Sequence, residues 1–354
     1  MFDINYLLWL QGIREKSGPI VEKIFTILTD IPFNPLTIVL ICVIYWCLNK
    51  KMGLFILFSQ TFGTFADNLI KLCACVYRPW IRDARINPPA KTKAGATGYS
   101  FPSGHSQTVM GLYGTLGYSL IEKDRKEKSQ KWLWAIILCA VIIFIVAFSR
   151  NFLGVHTPQD VAVGLLLGLV LIFATDFLLK WEAKGEGKAK AEGKKNWRDL
   201  IVAGSGTLLI IICSIIFLLK SYPMDYDERG NLLVDPNRMR KDFFEAIGMF
   251  LAVLWGWVIE KRFIQFKTEG KVWVRIIRAV AGAVCLAAVY LGFSPAFKRF
   301  FGKEFPLLYV YYTIKMFVTY FVVVTAYPAA VMGVQKAIIK KGNAAKFGYK
   351  VEEK

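Results

Sequence analysis

The chain has 354 residues, 55% of them hydrophobic, with a mean hydropathy of +0.42 and a formal net charge of +19. That apolar content excludes an ordinary soluble domain and leaves an all-α, polytopic integral membrane protein as the fold class. The basic residues lie largely in short segments between apolar runs, where they attract anionic headgroups and set topology, so membrane lipid is the expected partner and nucleic acid is not.

Residues 1–33 place apolar positions (Leu7, Leu8, Leu10, Ile13, then Val21, Ile24, Phe25, Leu28) among charges at helical spacing, split by Gly18-Pro19. They predict amphipathic helices lying at an interface, or else one weakly hydrophobic span. Met1-Phe2-Asp3-Ile4 has neither a basic n-region nor a small-residue cleavage site, so no signal peptide is expected. Apolar runs then predict eight helices, at about 36–49, 53–72, 103–121, 132–149, 159–180, 200–220, 243–259 and 274–293, and a ninth over about 307–333. Most approach the roughly 20 residues a bilayer core requires. Cys42, Cys47, Cys73, Cys75, Cys139, Cys213 and Cys285 fall in or beside these runs, which indicates neither a disulfide framework nor a zinc site. The stretch 182–198 is charged and low in complexity; it reads as a flexible cytoplasmic linker between a core at 1–181 and a C-terminal membrane unit at 199–354.

Alternating these helices across a bilayer gathers Lys50-Lys51, 122–131, 182–198, Lys261-Arg262 and the Lys-rich tail on one side. The positive-inside rule makes that side, and the C-terminus, cytoplasmic. Segments 73–102, 150–158, 221–242 and 294–306 then face outward, and the polar motifs of the chain converge on that face. The outer loop 80–101 carries Arg82, Arg85, Lys91 and Lys93, which either guide anionic headgroups or form an ordinary solvated loop.

The first motif, Lys71 to Arg78-Pro79, sets two cations seven apart, on one helical face if the helix persists to Pro79. Alone it would read as a pair of snorkelling boundary cations. The second, Tyr99-Ser100-Phe101-Pro102-Ser103-Gly104-His105-Ser106, opens a span. Ser103 is a good N-cap, and Gly104 lets a ligand approach amides at the positive end of the helix dipole; the two roles are compatible. His105 in that first turn needs an anionic partner to stay protonated. The third, Ser149-Arg150 through His156 to Asp160, lets a carboxylate four residues on orient an imidazole beside a planar cation. The chain has only two histidines, one in each of the last two motifs. Together the motifs supply three cations, two imidazoles, one carboxylate and a nest of amides, which suits phosphoryl transfer without metal.

These residues read Lys-x6-Arg-Pro, then Pro-Ser-Gly-His, then Ser-Arg-x5-His-x3-Asp. Over about 1–181 the chain resembles the type 2 phosphatidic acid phosphatases, or lipid phosphate phosphatases, which share a fold with vanadium-dependent haloperoxidases. The resemblance implies that His156 is a nucleophile forming a phosphohistidine, that Asp160 orients it, and that His105 is the general acid. Lys71, Arg78, Ser103, Gly104 and Arg150 would hold the phosphoryl oxygens, with no metal or other cofactor. The implied substrate is a lipid phosphate or pyrophosphate, of undecaprenyl pyrophosphate or phosphatidylglycerol phosphate type, met at the outer face of the cell membrane. Transfer to an acceptor other than water, and a lipid transporter or scaffold built on the phosphatase fold, are the alternatives.

Three intramembrane charges lie outside the pattern. Asp67, one turn before Lys71, is expected to form a structural salt bridge with it; Arg278 is expected to snorkel from a helix end; Lys315 either binds a lipid phosphate or pairs with Glu245.

Overall fold

The computed structural model of the chain describes residues 2–96, 98–301 and 307–349. In chain order the helices are α1 (Phe2–Leu28), α2 (Pro35–Val43), α3 (Lys50–Ala74), α4 (Pro79–Arg82), α5 (Ala90–Gly95), α6 (Gly104–Val109), α7 (Thr115–Glu127), α8 (Leu133–Phe152), α9 (Pro158–Ala191), α10 (Arg198–Leu219), α11 (Pro236–Ile259), α12 (Val272–Phe301), α13 (Leu307–Phe321), α14 (Tyr327–Lys340) and α15 (Ala344–Phe347). No strand occurs among the described residues, and the all-α expectation holds; Tyr226 and Leu232 form an isolated antiparallel bridge. Residues 302–306 of the expected last outer loop lie outside the described residues.

Among the described residues, six helical stretches are long and apolar enough to cross a membrane: Leu133–Phe152, Pro158–Ala191, Arg198–Leu219, Pro236–Ile264, Val272–Gly292 and Leu308–Lys340. The protein is a multi-pass membrane protein, with fewer such stretches than the nine helices counted in the sequence. Leu36–Leu48 is apolar but, at about 1.5 Å per residue, too short for a hydrocarbon core of roughly 30 Å. The other two expected spans correspond to α3 and to α6–α7, which hold much of the chain's buried polar chemistry. Apolar side chains such as Trp134, Phe144, Leu208, Ile216, Ile277 and Val284 are exposed, as lipid-facing surfaces require.

The chain divides into two compact units. The first comprises Met1–Asn34, Phe62–Thr175 and Ile212–Phe243. In it α1 bends at Gly18, whose φ of 78° only glycine adopts freely, immediately before Pro19. The bend separates the two expected amphipathic halves. Phe25 packs on Phe152 at 4.3 Å between ring centroids, and Arg14 donates to the Phe152 carbonyl at 3.1 Å, which seats α1 on α8. Helix α9 approaches α6 through Gly164: a Cβ there would stand 2.5 Å from the Ser103 carbonyl oxygen. Arg82 pairs with Asp3 at 2.8 Å and Arg85 with Asp83 at 2.7 Å, both from exposed positions.

The second unit comprises Pro35–Thr61, Asp176–Ile211 and Phe244–Lys354. A π-type turn at Val322–Ala326 frees carbonyls from the helical ladder; Trp46 Nε1 donates to Val323 at 2.9 Å and the Tyr45 hydroxyl to Val324 at 3.1 Å. Arg278 does not snorkel as expected. It is buried and donates to the carbonyls of Trp46 at 3.0 Å and Glu269 at 2.8 Å, because irregular backbone at Ile44–Leu48 leaves acceptors inside the bundle. The Lys315 ammonium lies 4.3 Å from the Tyr290 ring centroid, a cation–π contact. The segment 182–198, expected as a linker, is helical through Ala191: α9 simply continues, its Lys- and Ala-rich composition being helix-compatible despite the glycines.

Candidate active site

Every candidate residue falls in the first unit, at the ends of α3, α6, α8 and α9. Helix α3 stops at Ala74, earlier than the spacing to Pro79 suggests, because Cys75 turns left-handed with φ 50°. Arg78 is thus presented from extended backbone with φ −62° and ψ 151°, the conformation favoured before a proline. It still reaches the third motif, at His156.

Arg78 Nη1 lies 2.8 Å from His156 Nε2 and donates to the Val155 carbonyl at 3.1 Å, while its Nε donates to the Gly98 carbonyl at 3.1 Å. A guanidinium has no acceptor, so Nε2 must be the unprotonated ring nitrogen and the proton sits on Nδ1. That nitrogen faces Asp160 Oδ2 at 3.5 Å and Ser100 Oγ at 3.4 Å. Asp160 Oδ2 also accepts from Ser100 Oγ at 2.6 Å and from the Thr157 amide at 2.8 Å, and the Asp160 carbonyl accepts from the Ser103 amide at 2.9 Å. Asn151 Nδ2 donates to the His156 carbonyl at 2.9 Å, closing the turn that carries the imidazole.

Burial, and then the positive charge of Arg78, push the His156 imidazolium well below the usual histidine range, so the ring is neutral near pH 7. Burial also brings Arg78 down to about 10, which leaves it cationic there.

Lys71 Nζ is 2.5 Å from Asp67 Oδ2 and 2.6 Å from the Pro102 carbonyl, which matches the expected salt bridge and ties α3 to the start of α6. A Cβ at Gly104 would stand 3.1 Å from Asp67 Oδ2 and 3.5 Å from Lys71 Nζ, so the missing side chain keeps the cation beside the α6 amides. Ser103 is the N-cap of α6: its hydroxyl accepts from the Ser106 amide at 3.4 Å. Arg150 Nη1 donates to Thr29 Oγ1 at 2.7 Å, and its buried Nε has no hydrogen-bond partner. The carboxylate nearest His105 is Asp30, with Oδ1 4.0 Å from Nε2, and Phe33 meets the ring edge-on at 4.6 Å between centroids.

The sequence motifs therefore converge. What they missed are Ser100, Asn151 and Thr157, which lie inside the motif stretches without a charge to mark them, and Thr29 and Asp30, which carry no local signal.

Residues 52–182 match the family described as the PAP2 superfamily, and residues 244–337 match the transmembrane extension of PAP2 superfamily phosphatases. The chain belongs to the PAP2 superfamily. Each candidate residue from Lys71 to Asp160 lies within the first matched region. The second match supplies a pattern for the C-terminal spans that no motif had revealed.

Among curated PAP2-like proteins the chain is 34% identical over 119 residues to phosphatidylglycerophosphatase B of Bacillus subtilis, covering 33% of this chain and 54% of the relative. It is 31% identical over 125 residues to undecaprenyl-diphosphatase of Sulfolobus acidocaldarius, covering 35% and 54% respectively. Lipid phosphate phosphatase delta of Arabidopsis thaliana is 23% identical over 165 residues, 45% of this chain and 39% of the relative. The matches span about half the length of the first two relatives. No solved structure matches the chain significantly.

Proposed function

We propose that this PAP2 protein is a membrane phosphatase that hydrolyses a lipid phosphomonoester or pyrophosphate through a phosphohistidine on His156, with residues 1–181 as the catalytic core. The observation that carries the reading is the 2.8 Å approach of Arg78 Nη1 to His156 Nε2. It leaves the imidazole neutral, with its lone pair on the nitrogen that faces a phosphate-binding cation.

In the first step Nε2 attacks phosphorus, and the P–N bond forms as the bond to the bridging oxygen breaks. His105 gives its proton to that leaving oxygen. Asp160 stabilises the charge that develops on His156 through the Nδ1 proton. Lys71, Arg78, Arg150, Ser103 and the Gly104 amide hold the non-bridging oxygens, where negative charge concentrates. Water then attacks the phosphohistidine and gives a proton to His105; the P–N bond breaks, and orthophosphate leaves. The chain's own cations neutralise the phosphoryl group, so the reading expects turnover in excess chelator.

A lipid substrate suits a buried polar site in a chain with membrane-length apolar helices, and the relatives' names bring phosphatidylglycerophosphate and undecaprenyl diphosphate forward as the first to try. In this reading the site faces outward from the cell membrane and the C-terminus is cytoplasmic, which the positive-inside distribution of the basic segments supports.

The test is phosphate release by the purified chain in detergent and chelator, from a panel of those two lipids and phosphatidic acid, beside His156→Ala. Release by the parent alone supports the reading, and the ranking of lipids names the substrate. Equal release by both proteins overturns His156 as nucleophile. Release that requires an added lipid or sugar acceptor favours phosphotransfer.

A further inference from the structure

The turn that follows α1 reaches the site although it precedes the matched region, which begins at residue 52. Thr29 is only 2% exposed, and its hydroxyl accepts the 2.7 Å hydrogen bond from Arg150 Nη1. With Nη1 so engaged, the buried and unpartnered Nε edge of Arg150 is left for an anion. The next residue, Asp30, faces His105 Nε2 at 4.0 Å, and Phe33, three further on, packs against the same imidazole. One short turn thus touches two of the groups that would act on the substrate.

The turn is built to hold this position. The Thr29 amide donates to the Phe25 carbonyl at 3.0 Å, and the Phe33 amide to the Asp30 carbonyl at 3.0 Å, with Pro32 stiffening the bend. Phe25 and Arg14 anchor α1 to the end of α8 near Arg150, so cation and hydroxyl are referenced to one element. His105 lies between the Phe33 ring and the Asp30 carboxylate, which together set how its imidazole is presented to the site.

We propose that Thr29 and Asp30 are positioning residues of the phosphoryl-transfer site: Thr29 holds the Arg150 guanidinium for the phosphoryl oxygens, and Asp30, with Phe33, holds the His105 ring oriented toward the leaving oxygen. This rests on the phosphatase reading above. Asp30 therefore matters only where the leaving group needs a proton. An alkoxide does; a nitrophenolate hardly does.

The test uses the full chain in detergent with Thr29→Val, Thr29→Ser, Asp30→Asn and Asp30→Glu. Three quantities are read: turnover of a short-chain lipid phosphomonoester, turnover of p-nitrophenyl phosphate, and the affinity for orthovanadate from its effect on the thermal unfolding temperature. Thr29→Val is expected to raise KM and weaken vanadate binding about tenfold, the scale of one hydrogen bond to a charged group, and Thr29→Ser to restore both. Asp30→Asn is expected to lower kcat on the lipid about tenfold while p-nitrophenyl phosphate stays within about twofold, with recovery in Asp30→Glu. Unchanged vanadate affinity in Thr29→Val overturns the role of Thr29. Equal loss on both substrates in Asp30→Asn overturns that of Asp30. A parent that binds vanadate more tightly than Thr29→Val but releases no phosphate keeps the Thr29 assignment and refutes the hydrolase; a parent that does neither refutes both.

Discussion

Arg78 Nη1 stands 2.8 Å from His156 Nε2 and 3.1 Å from the Val155 carbonyl one residue before it, so one guanidinium selects the imidazole tautomer and fixes the loop that carries it. Lysine cannot also keep the bond that Arg78 Nε donates to the Gly98 carbonyl, since its single ammonium lacks the planar fork. Arg78→Ala is expected to lower kcat/KM by on the order of 10²–10³. Arg78→Lys is expected to recover little of that, measured as phosphate release from the preferred lipid.

Asp160 Oδ2 accepts from Ser100 and Thr157 and faces the Nδ1 proton of His156. Asp160→Asn keeps the shape and removes the charge that stabilises the phosphohistidine. By analogy with other oriented imidazoles, kcat is expected to fall by about 10²–10⁴, with KM nearly unchanged. Trapping of labelled enzyme by an alkaline, detergent quench, in which a phosphohistidine survives, should show the covalent phosphate disappearing from His156→Ala and forming slowly in Asp160→Asn.

The depressed His156 has a stability consequence, and its sign follows from proton uptake. Below about pH 6.5 an unfolded histidine binds a proton while the buried ring, held down by burial and Arg78, does not. The unfolded state therefore gains protons first, and stability falls as pH drops through that window, by at most about 1.4 kcal/mol per pH unit from this group. Thermal unfolding between pH 7.5 and 5 should show a steeper loss in the parent than in His156→Gln, which cannot titrate. Equal slopes would remove His156 as the cause.

Gly164 carries no chemistry, yet a Cβ there would lie 2.5 Å from the Ser103 carbonyl oxygen, a backbone atom that cannot swing aside. Gly164→Ala must push α9 away from the start of α6, and with it Asp160 from Ser103. A destabilisation of about 1–3 kcal/mol is expected, together with a loss of turnover larger than any change in vanadate affinity. Alanine at Gly204, where nothing lies within 4 Å of the added Cβ, serves as the silent comparison.

By itself the sequence determined the fold class, because apolar runs of bilayer length between basic segments have few other solutions, and it marked the candidate site, because cations, imidazoles and a carboxylate stood at helix ends in a recognisable order. Local spacing was enough for His156 and Asp160, four apart, and for Ser103 as the cap of α6. Spacing failed where backbone departs from the helix: Lys71 and Arg78 do not share a helical face, since Cys75 turns the chain out of α3. It failed again at 182–191, where a charged, repetitive composition suits a solvated helix as well as a linker.

Only tertiary structure decided which uncharged groups complete the site. Ser100 meets Asp160 from 60 residues away and Thr29 meets Arg150 from 121, distances at which neither period nor composition carries information. Such contacts depend on how helices pack: on the Gly18 bend that seats α1, and on the glycines that let α9 close on α6. A hydroxyl becomes a ligand's support only when the fold removes water from around it and leaves one donor for it to accept.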